Sequence, residues 1–200
     1  GTLTQQANDQ NIKVVISTGD KDLAQLVNER TMLINTMTNE LLDIDGVKNK
    51  FGVPPSLIID YLSIIGDKAD NVPGVEKVGP KTALKWLEEY GDLKNIIDNA
   101  DKFTGVVGNN LRMALDWLPT AKELITIKCD VEINYSWSDF EKKDQDNKTL
   151  VNLYQKYNFS SWLRDMGAQI ENSSQEITNE LLIKPQADFV GTKDYQLINK

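Results

Sequence analysis

The sequence predicts an α/β fold, a partial parallel β-sheet followed by a helical half, on the strength of three observations. Apolar runs separated by loops fill residues 14–36, which is typical of strands in an open sheet. From Pro54 onward, apolar residues recur every three or four positions, as in amphipathic helices. Glycines and prolines punctuate that second part at helix-like intervals. We expect four segments: residues 1–52 as the sheet part, 53–170 as the helical region, 171–187 as a linker, and 188–200 as the first strand of a truncated following domain.

The composition restricts the possible chemistry. The 200 residues contain no histidine, which excludes serine–histidine hydrolases and zinc sites built on imidazole. Any metal must then be held by oxygen, as Mg²⁺, Mn²⁺ or Ca²⁺ are. The single cysteine, Cys129, is typical of a reducing compartment, so we expect a cytoplasmic protein. The net charge of −8 argues against a general nucleic-acid binder, although bound cations invert the field of a carboxylate-lined site.

The predicted elements follow in order along the chain. Val14–Ile16 is an apolar run of the kind found in strands buried on both faces. The further elements we predict are an initial helix, the start of a helix at 23–27, strands at 31–36 and 41–42, a small helix ending near Gly52, and helices beginning or lying at Pro54, Pro80, 93–97, 109–118, 121–127, 149–157 and 159–166.

Asp20 and Asp22 follow the first strand at its carboxyl end, the edge where open α/β sheets bind ligands. Carboxylates two residues apart in extended backbone project to the same side and repel each other unless a cation lies between them. A helix cap at Asp22 is an equally good interpretation of this pair alone.

Asp67 and Asp70 form a second acidic pair, directly after the glycine that ends a helix. Taken alone, this pair is better explained by ordinary turn chemistry. Two such pairs in one chain favour metal ligation, because two divalent ions about 4 Å apart are the usual device for attack on a phosphodiester.

Residues 74–82 indicate a hairpin between two helices. Glycines permit close approach of the backbone to a phosphate, and the amides at the start of the Pro80 helix point toward an anion. Lys77, Lys81 and Lys85 provide positive charge suited to phosphates. A helical corner with solvated lysines is an equally good interpretation.

Four motifs together resemble the 5′ nuclease domain of bacterial DNA polymerase I. They are segments 16–26, 66–75, 78–83 and 126–131. The resemblance covers residues 1–167 as the second half of that domain, and the last residues resemble the passage into the polymerase's proofreading-like domain. It implies that the first half, with further metal ligands, lies outside these 200 residues.

The resemblance implies metal ligation by Asp20, Asp22, Asp67 and Asp70, mainly of the second of two Mg²⁺ or Mn²⁺ ions. It also implies that residues 66–91 form a helix-hairpin-helix (helix-three-turn-helix) region that grips duplex DNA, with K⁺ at the hairpin carbonyls. The residues predicted to bind DNA are Gly74, Lys77, Gly79, Lys81, Thr82 and Lys85. Lys77 is a departure, since the family commonly has glycine there.

We therefore expect part of a metal-dependent 5′-3′ exonuclease and flap endonuclease. Its partners would be 5′-flap or nicked duplex DNA, RNA primer–DNA hybrids and the remainder of the polymerase chain. We expect the 200 residues to bind duplex DNA without cleaving it. The alternative is a non-catalytic, structure-specific DNA-binding module.

Overall fold

The computed structural model describes residues 1–135 and 137–173, in two compact units that divide after Asn134. The first unit contains α1 (Thr2–Asp9), β1 (Val14–Ser17), β2 (Thr31–Asn35), β3 (Glu40–Leu42), α2 (Ile44–Phe51), α3 (Ile58–Ile65), β4 (Gly66–Asp67), β5 (Val72–Pro73), α4 (Pro80–Tyr90), α5 (Leu93–Asp98), α6 (Gly105–Ala114) and α7 (Leu118–Ile125), with short 3-10 turns at Asp22–Leu26, Pro55–Leu57 and Ala100–Lys102. The described part of the second unit contains a 3-10 turn at Trp137–Phe140, then α8 (Asn147–Lys156) and α9 (Ser160–Ser173).

The sheet of the first unit is small and mixed. β1 pairs with β2 in parallel, with Val14 opposite Thr31, and β2 pairs with β3 antiparallel, with Leu33 opposite Leu42. The parallel pair places the loop after β1 and the end of β2 at one edge of the sheet. The predicted α/β class is confirmed: a small sheet with a parallel pair precedes a helical region.

The prediction that β1 is buried on both faces is wrong. Burial alternates along the strand, and Val15 is 59% exposed. An apolar run of three residues does not distinguish a strand covered on both faces from one covered on a single face.

The helical region packs around α3, which is the most apolar helix of the unit. Ile58, Leu62 and Ile64 of α3 are at most 1% exposed. α3 contacts α4 and α7, and Trp86 of α4 packs edge-on against Phe103 with ring centroids 4.7 Å apart. The core therefore lies directly beneath the loop that follows α3.

The predicted end of α2 and the predicted start and end of α4 are confirmed, whereas the helix predicted to start at 23–27 is a 3-10 turn at Asp22–Leu26. α2 ends at Gly52 with φ of 81°, and α4 begins at Pro80 and ends at Gly91. The helix predicted at 109–118 instead begins at Gly105, and a turn separates its end at Ala114 from α7. Pro119 occupies the first turn of α7, where its missing N–H costs no hydrogen bond.

In the second unit, the Asp146 side chain caps α8 by accepting a hydrogen bond from the Thr149 N–H at 3.0 Å. α9 continues to Ser173 and so includes residues 171–173 of the predicted linker. The remainder of that linker and the predicted strand at 188–200 lie outside the described residues. Among the described helices, none is both long and apolar enough to cross a membrane.

A candidate metal centre beside a lysine-bearing hairpin

Asp22 lies at the start of the 3-10 turn that follows β1. The preceding loop is shaped by two local hydrogen bonds, in which the Asp20 N–H donates to Thr18 Oγ1 and the Asp22 N–H donates to Asp20 Oδ1, each at 3.0 Å. Oδ1 of Asp22 is buried and has no hydrogen-bond partner in the described part of the chain. Burial raises the pKa of the Asp22 carboxyl to about 6, and the negative charges of Asp20 and Asp67 act in the same direction.

Asp67 is positioned by the end of α3. Gly66 turns the chain there with φ of 78° and ψ of 168°, a conformation that requires glycine. β4 then pairs with β5, with Asp67 opposite Val72, and the Asp67 side chain is only 3% exposed. Its Oδ1 accepts a hydrogen bond from the Ala69 N–H at 2.9 Å.

Lys21 partly neutralises this buried carboxylate. Its Nζ lies 2.6 Å from Asp67 Oδ2, and the Lys21 side chain is 36% exposed. The hydrogen bond from Lys21 lowers the pKa of the Asp67 carboxyl, outweighing the effect of burial. Lys21 was not among the residues predicted for this site, although its place between Asp20 and Asp22 indicated that it would lie beside them.

Three of the four predicted ligands converge. Oxygen atoms of Asp22, Asp67 and Asp70 all lie within 4.8 Å of one another, and we call these residues the acidic group. Asp20 lies outside it, exposed, with its Oδ1 used in the turn to Asp22. The carboxylates of Asp22 and Asp67, which are 45 positions apart in the chain, thus lie close together.

The acidic group suits a hard divalent cation. All its donors are carboxylate oxygens, which Mg²⁺ and Mn²⁺ prefer. The buried, unpartnered oxygen of Asp22 is the specific sign of fit, because an unsatisfied charged atom costs free energy that a cation would remove. The three carboxylates form one group of a size that could hold a metal ion.

The hairpin (residues 72–79) follows the acidic group directly. A Cβ on Gly74 would overlap the backbone of Ile64, Ile65 and Gly66. Gly74 therefore serves close packing against the end of α3. By contrast, a Cβ on Gly79 would meet nothing within 4 Å, so the backbone there is open to a ligand.

Lys77 has a left-handed backbone, with φ of 61°. This conformation favours glycine, and it costs other residues about 1–2 kcal/mol. The glycine that the resemblance leads one to expect at this position is therefore explained by backbone conformation.

Lys77, Lys81 and Lys85, here called the lysine patch, are exposed. Within the described residues none of the three has a carboxylate oxygen within 4.0 Å. Thr82 is partly buried, and its N–H already donates to the Gly79 carbonyl at 3.1 Å. The lysine patch thus presents charge to solvent.

Two side chains absent from the sequence-based prediction hold the hairpin in place. Trp117 Nε1 donates to the Pro73 carbonyl at 2.7 Å, and Asn110 Nδ2 donates to the Glu76 carbonyl at 2.7 Å. Both lie more than 30 positions further along the chain, so no local pattern indicated them.

Two family models match the chain in succession. Residues 1–52 match the 5′-3′ exonuclease N-terminal resolvase-like domain, and residues 53–148 match the 5′-3′ exonuclease C-terminal SAM fold. The boundary at residue 52 coincides with the predicted end of the sheet part.

Curated relatives are of two kinds. The chain is 39% identical to DNA polymerase I of Pseudomonas aeruginosa over 197 residues, which cover 94% of the chain and 22% of the relative. It is 37% identical to the 5′-3′ exonuclease of Aquifex aeolicus over 173 residues, covering 86% of the chain and 59% of the relative. The chain thus spans 22% to 59% of the length of these two relatives.

Solved structures with the same fold include bacteriophage T5 proteins. The T5 5′-exonuclease with bound zinc has a TM-score of 0.57 at 21% identity, covering 62% of this chain and 46% of that one. The T5 flap endonuclease in a pseudo-enzyme-product complex with DNA and metal ions has a TM-score of 0.58 at the same identity and coverage. At this identity the likeness establishes the fold.

Proposed function

The chain belongs to the 5′-3′ exonuclease family, and from this premise we propose that it provides one metal-binding side and the duplex-binding region of a structure-specific 5′ nuclease. The observation that carries this proposal is the acidic group, with its buried Asp22 oxygen that has no partner among the described residues. The hairpin that follows it bears Lys77 and leads into α4 with Lys81 and Lys85. Its substrates would be 5′ flaps, nicked duplexes and RNA primers in replication and repair.

The carboxylates act as ligands in this proposal. When bound, divalent cations supply an activated water and stabilise the charge that develops on the phosphate. Asp22, Asp67 and Asp70 would hold one such ion, Mg²⁺ or Mn²⁺. Asp67 is kept anionic by Lys21 and the Ala69 N–H, so it is ready to bind a cation without losing a proton.

The lysine patch would hold the duplex through its phosphates. Contacts between lysine side chains and phosphates fix orientation without reading base sequence, which suits an enzyme that recognises a junction. The open backbone at Gly79 leads into the first turn of α4, where helix amides favour an anion.

K⁺ at hairpin carbonyls belongs to the same proposal. The carbonyls of Pro73 and Glu76 already accept side-chain hydrogen bonds, which would stiffen the loop around such an ion.

The parent enzyme would be a DNA polymerase I. The alignment with the Pseudomonas polymerase extends over a larger share of the chain than that with the separate Aquifex exonuclease. We further propose that the 200-residue chain binds duplex DNA but does not cleave it, because the acidic group could hold one metal ion whereas in-line displacement uses two.

The test combines a cleavage assay with a binding assay. The chain is incubated with a labelled 5′-flap duplex and Mg²⁺, and binding is measured by fluorescence anisotropy in parallel. We expect binding without product. Robust cleavage by the chain would overturn the single-ion assignment, and absence of binding would overturn the role of the lysine patch.

The second candidate function is a non-catalytic DNA-binding module, which the exposure of the lysine patch favours. An experiment on the full-length parent protein distinguishes it from the nuclease function. Asp22→Asn with Asp67→Asn should abolish cleavage there while duplex binding persists. Asp101→Asn, an exposed aspartate outside the acidic group, is the matched control. Unchanged cleavage in the double variant would favour the binding-only function.

A further inference from the structure

The side chain of Gln25 connects the turn that bears Asp22 to the backbone after α7. Its Nε2 donates to the Ile125 carbonyl at 3.0 Å, and its Oε1 accepts from the Ile127 N–H at 2.9 Å. The same Nε2 donates to the Asp22 carbonyl at 2.8 Å. One amide thus satisfies three backbone groups, two of them about 100 positions away in the chain.

α7 also holds the helix that leads to Asp67. Lys122 Nζ of α7 lies 2.7 Å from Asp60 Oδ1 of α3, and Asp60 Oδ2 accepts from the Leu93 N–H at 3.1 Å. The Asp60 side chain is 7% exposed and the Lys122 side chain is 45% exposed, so the carboxylate is withdrawn from water while the ammonium group stays partly solvated. Lys122 and Ile125 are three residues apart, about one turn of the helix.

Both segments that position the acidic group, the turn with Asp22 and the helix before Asp67, are therefore bonded to α7. The turn Asp22–Leu26 is attached through Gln25, and α3, which ends just before Asp67, is attached through Asp60. α7 thus contacts both the turn that bears Asp22 and the helix that leads to Asp67, in addition to the direct ion pair between Lys21 and Asp67.

These bonds to α7 oppose a repulsion within the acidic group. Asp22 and Asp67 repel each other while both are ionised, and that repulsion favours movement of the turn with Asp22 away from Asp67. The Asp22–Leu26 turn is only five residues long and has no side-chain cap at Lys21. Short 3-10 segments have poor hydrogen-bond geometry of their own, so the Gln25 amide adds to the restraint that the ion pair between Lys21 and Asp67 supplies.

We propose that Gln25 is a positioning residue that holds Asp22 within ligating distance of Asp67, with α7 as the common frame. The proposal rests on the proposed metal-binding function. Groups that orient metal ligands typically contribute about 10- to 100-fold in metal affinity when removed.

The test measures Mn²⁺ binding to the 200-residue chain by titration calorimetry, with Gln25→Met removing the amide at similar length. We expect a loss of about 10- to 100-fold in affinity. Gln5→Met is the matched control, because Gln5 Nε2 donates only to the exposed Asp9 side chain. Gln25→Asn keeps the amide but shortens its reach, so we expect a smaller loss of Mn²⁺ affinity. If Gln25→Met does not fold, the affinity of Gln25→Asn decides the test instead.

A mutant cycle distinguishes positioning from general destabilisation. In an Asp22→Asn background, Gln25→Met should cause no further loss of Mn²⁺ affinity, because the ligand it positions is already impaired. An equal additional loss in that background, or unchanged affinity in the single variant, would overturn the positioning role. Absence of Mn²⁺ binding by the unsubstituted chain would instead overturn the proposed metal centre, and the role of Gln25 with it.

Discussion

Lys21 Nζ lies 2.6 Å from Asp67 Oδ2, which places a protein cation beside the most buried carboxylate of the acidic group. The ammonium group offsets the charge of Asp67 in the metal-free protein. It would also compete with a metal ion for the same oxygen in the proposed metal centre. The two effects have opposite consequences for stability and for metal affinity, and this opposition can be tested.

Replacing Lys21 by methionine should lower metal-free stability and raise Mn²⁺ affinity. The loss of stability should be about 1–2 kcal/mol, less than for a fully buried pair because Lys21 is partly exposed. Chemical denaturation and calorimetry measure the two effects. Lys50→Met is the matched control, since Lys50 pairs with Glu40 at the same distance of 2.6 Å outside the acidic group. A Lys21→Met variant with weaker Mn²⁺ binding would contradict the competition.

Asp22→Asn should stabilise the metal-free protein in a pH-dependent way. The pKa of Asp22 is about 6 in the folded state against an ordinary value of 3.8. The folded state therefore binds the proton more tightly, and stability is lost as pH rises from about 4 to about 6. Thermal unfolding at pH 4, 5, 6 and 7 should show the asparagine variant gaining over the parent across this window and levelling off above it. A difference that is independent of pH would mean that the Asp22 charge is not the cause.

Lys77→Gly should stabilise the hairpin. Relief of the left-handed backbone is worth about 1–2 kcal/mol, and the greater freedom of glycine in the unfolded chain offsets about 0.5–1 kcal/mol. Urea denaturation should therefore show a small net gain. Lys85→Gly, in the middle of α4, should destabilise by about 1 kcal/mol and serves as the comparison. Destabilisation by Lys77→Gly would show that its side chain contributes more than its backbone costs.

Lys81→Met should weaken duplex binding uniformly across DNA sequences. A single phosphate contact also contributes about 1 to the slope of log affinity against log salt concentration, so that slope should fall by about 1. Anisotropy titrations at several salt concentrations on two unrelated duplexes measure both. Lys94→Met is the control, because Lys94 is exposed but pairs with Asp98 on α5. A loss confined to one DNA sequence would contradict phosphate contact.

Local chemistry explains which features were predictable. The starts of α4 and α7 follow from prolines at 80 and 119, and the ends of α2 and α4 follow from glycines, because these residues act on their own backbone. Two acidic pairs, one after a strand and one after a helix, favoured metal ligation, and the resemblance implied that Asp20, Asp22, Asp67 and Asp70 are the ligands. Asp22, Asp67 and Asp70 lie close together, while metal binding itself stays a prediction.

Tertiary structure decided what depends on distant parts of the chain. Only the fold shows that Asp20 lies outside the acidic group, that Lys21 is attached to Asp67, and that Val15 is exposed. It also assigns Gly74 to close packing beside α3, while Gly79 has open space. The sequence by itself determined the types of group available and the places where the backbone turns, since both are properties of single residues and their neighbours. Which of these groups meet was decided by packing around α3 and α7, because a carboxylate becomes a ligand only when folding brings another within reach.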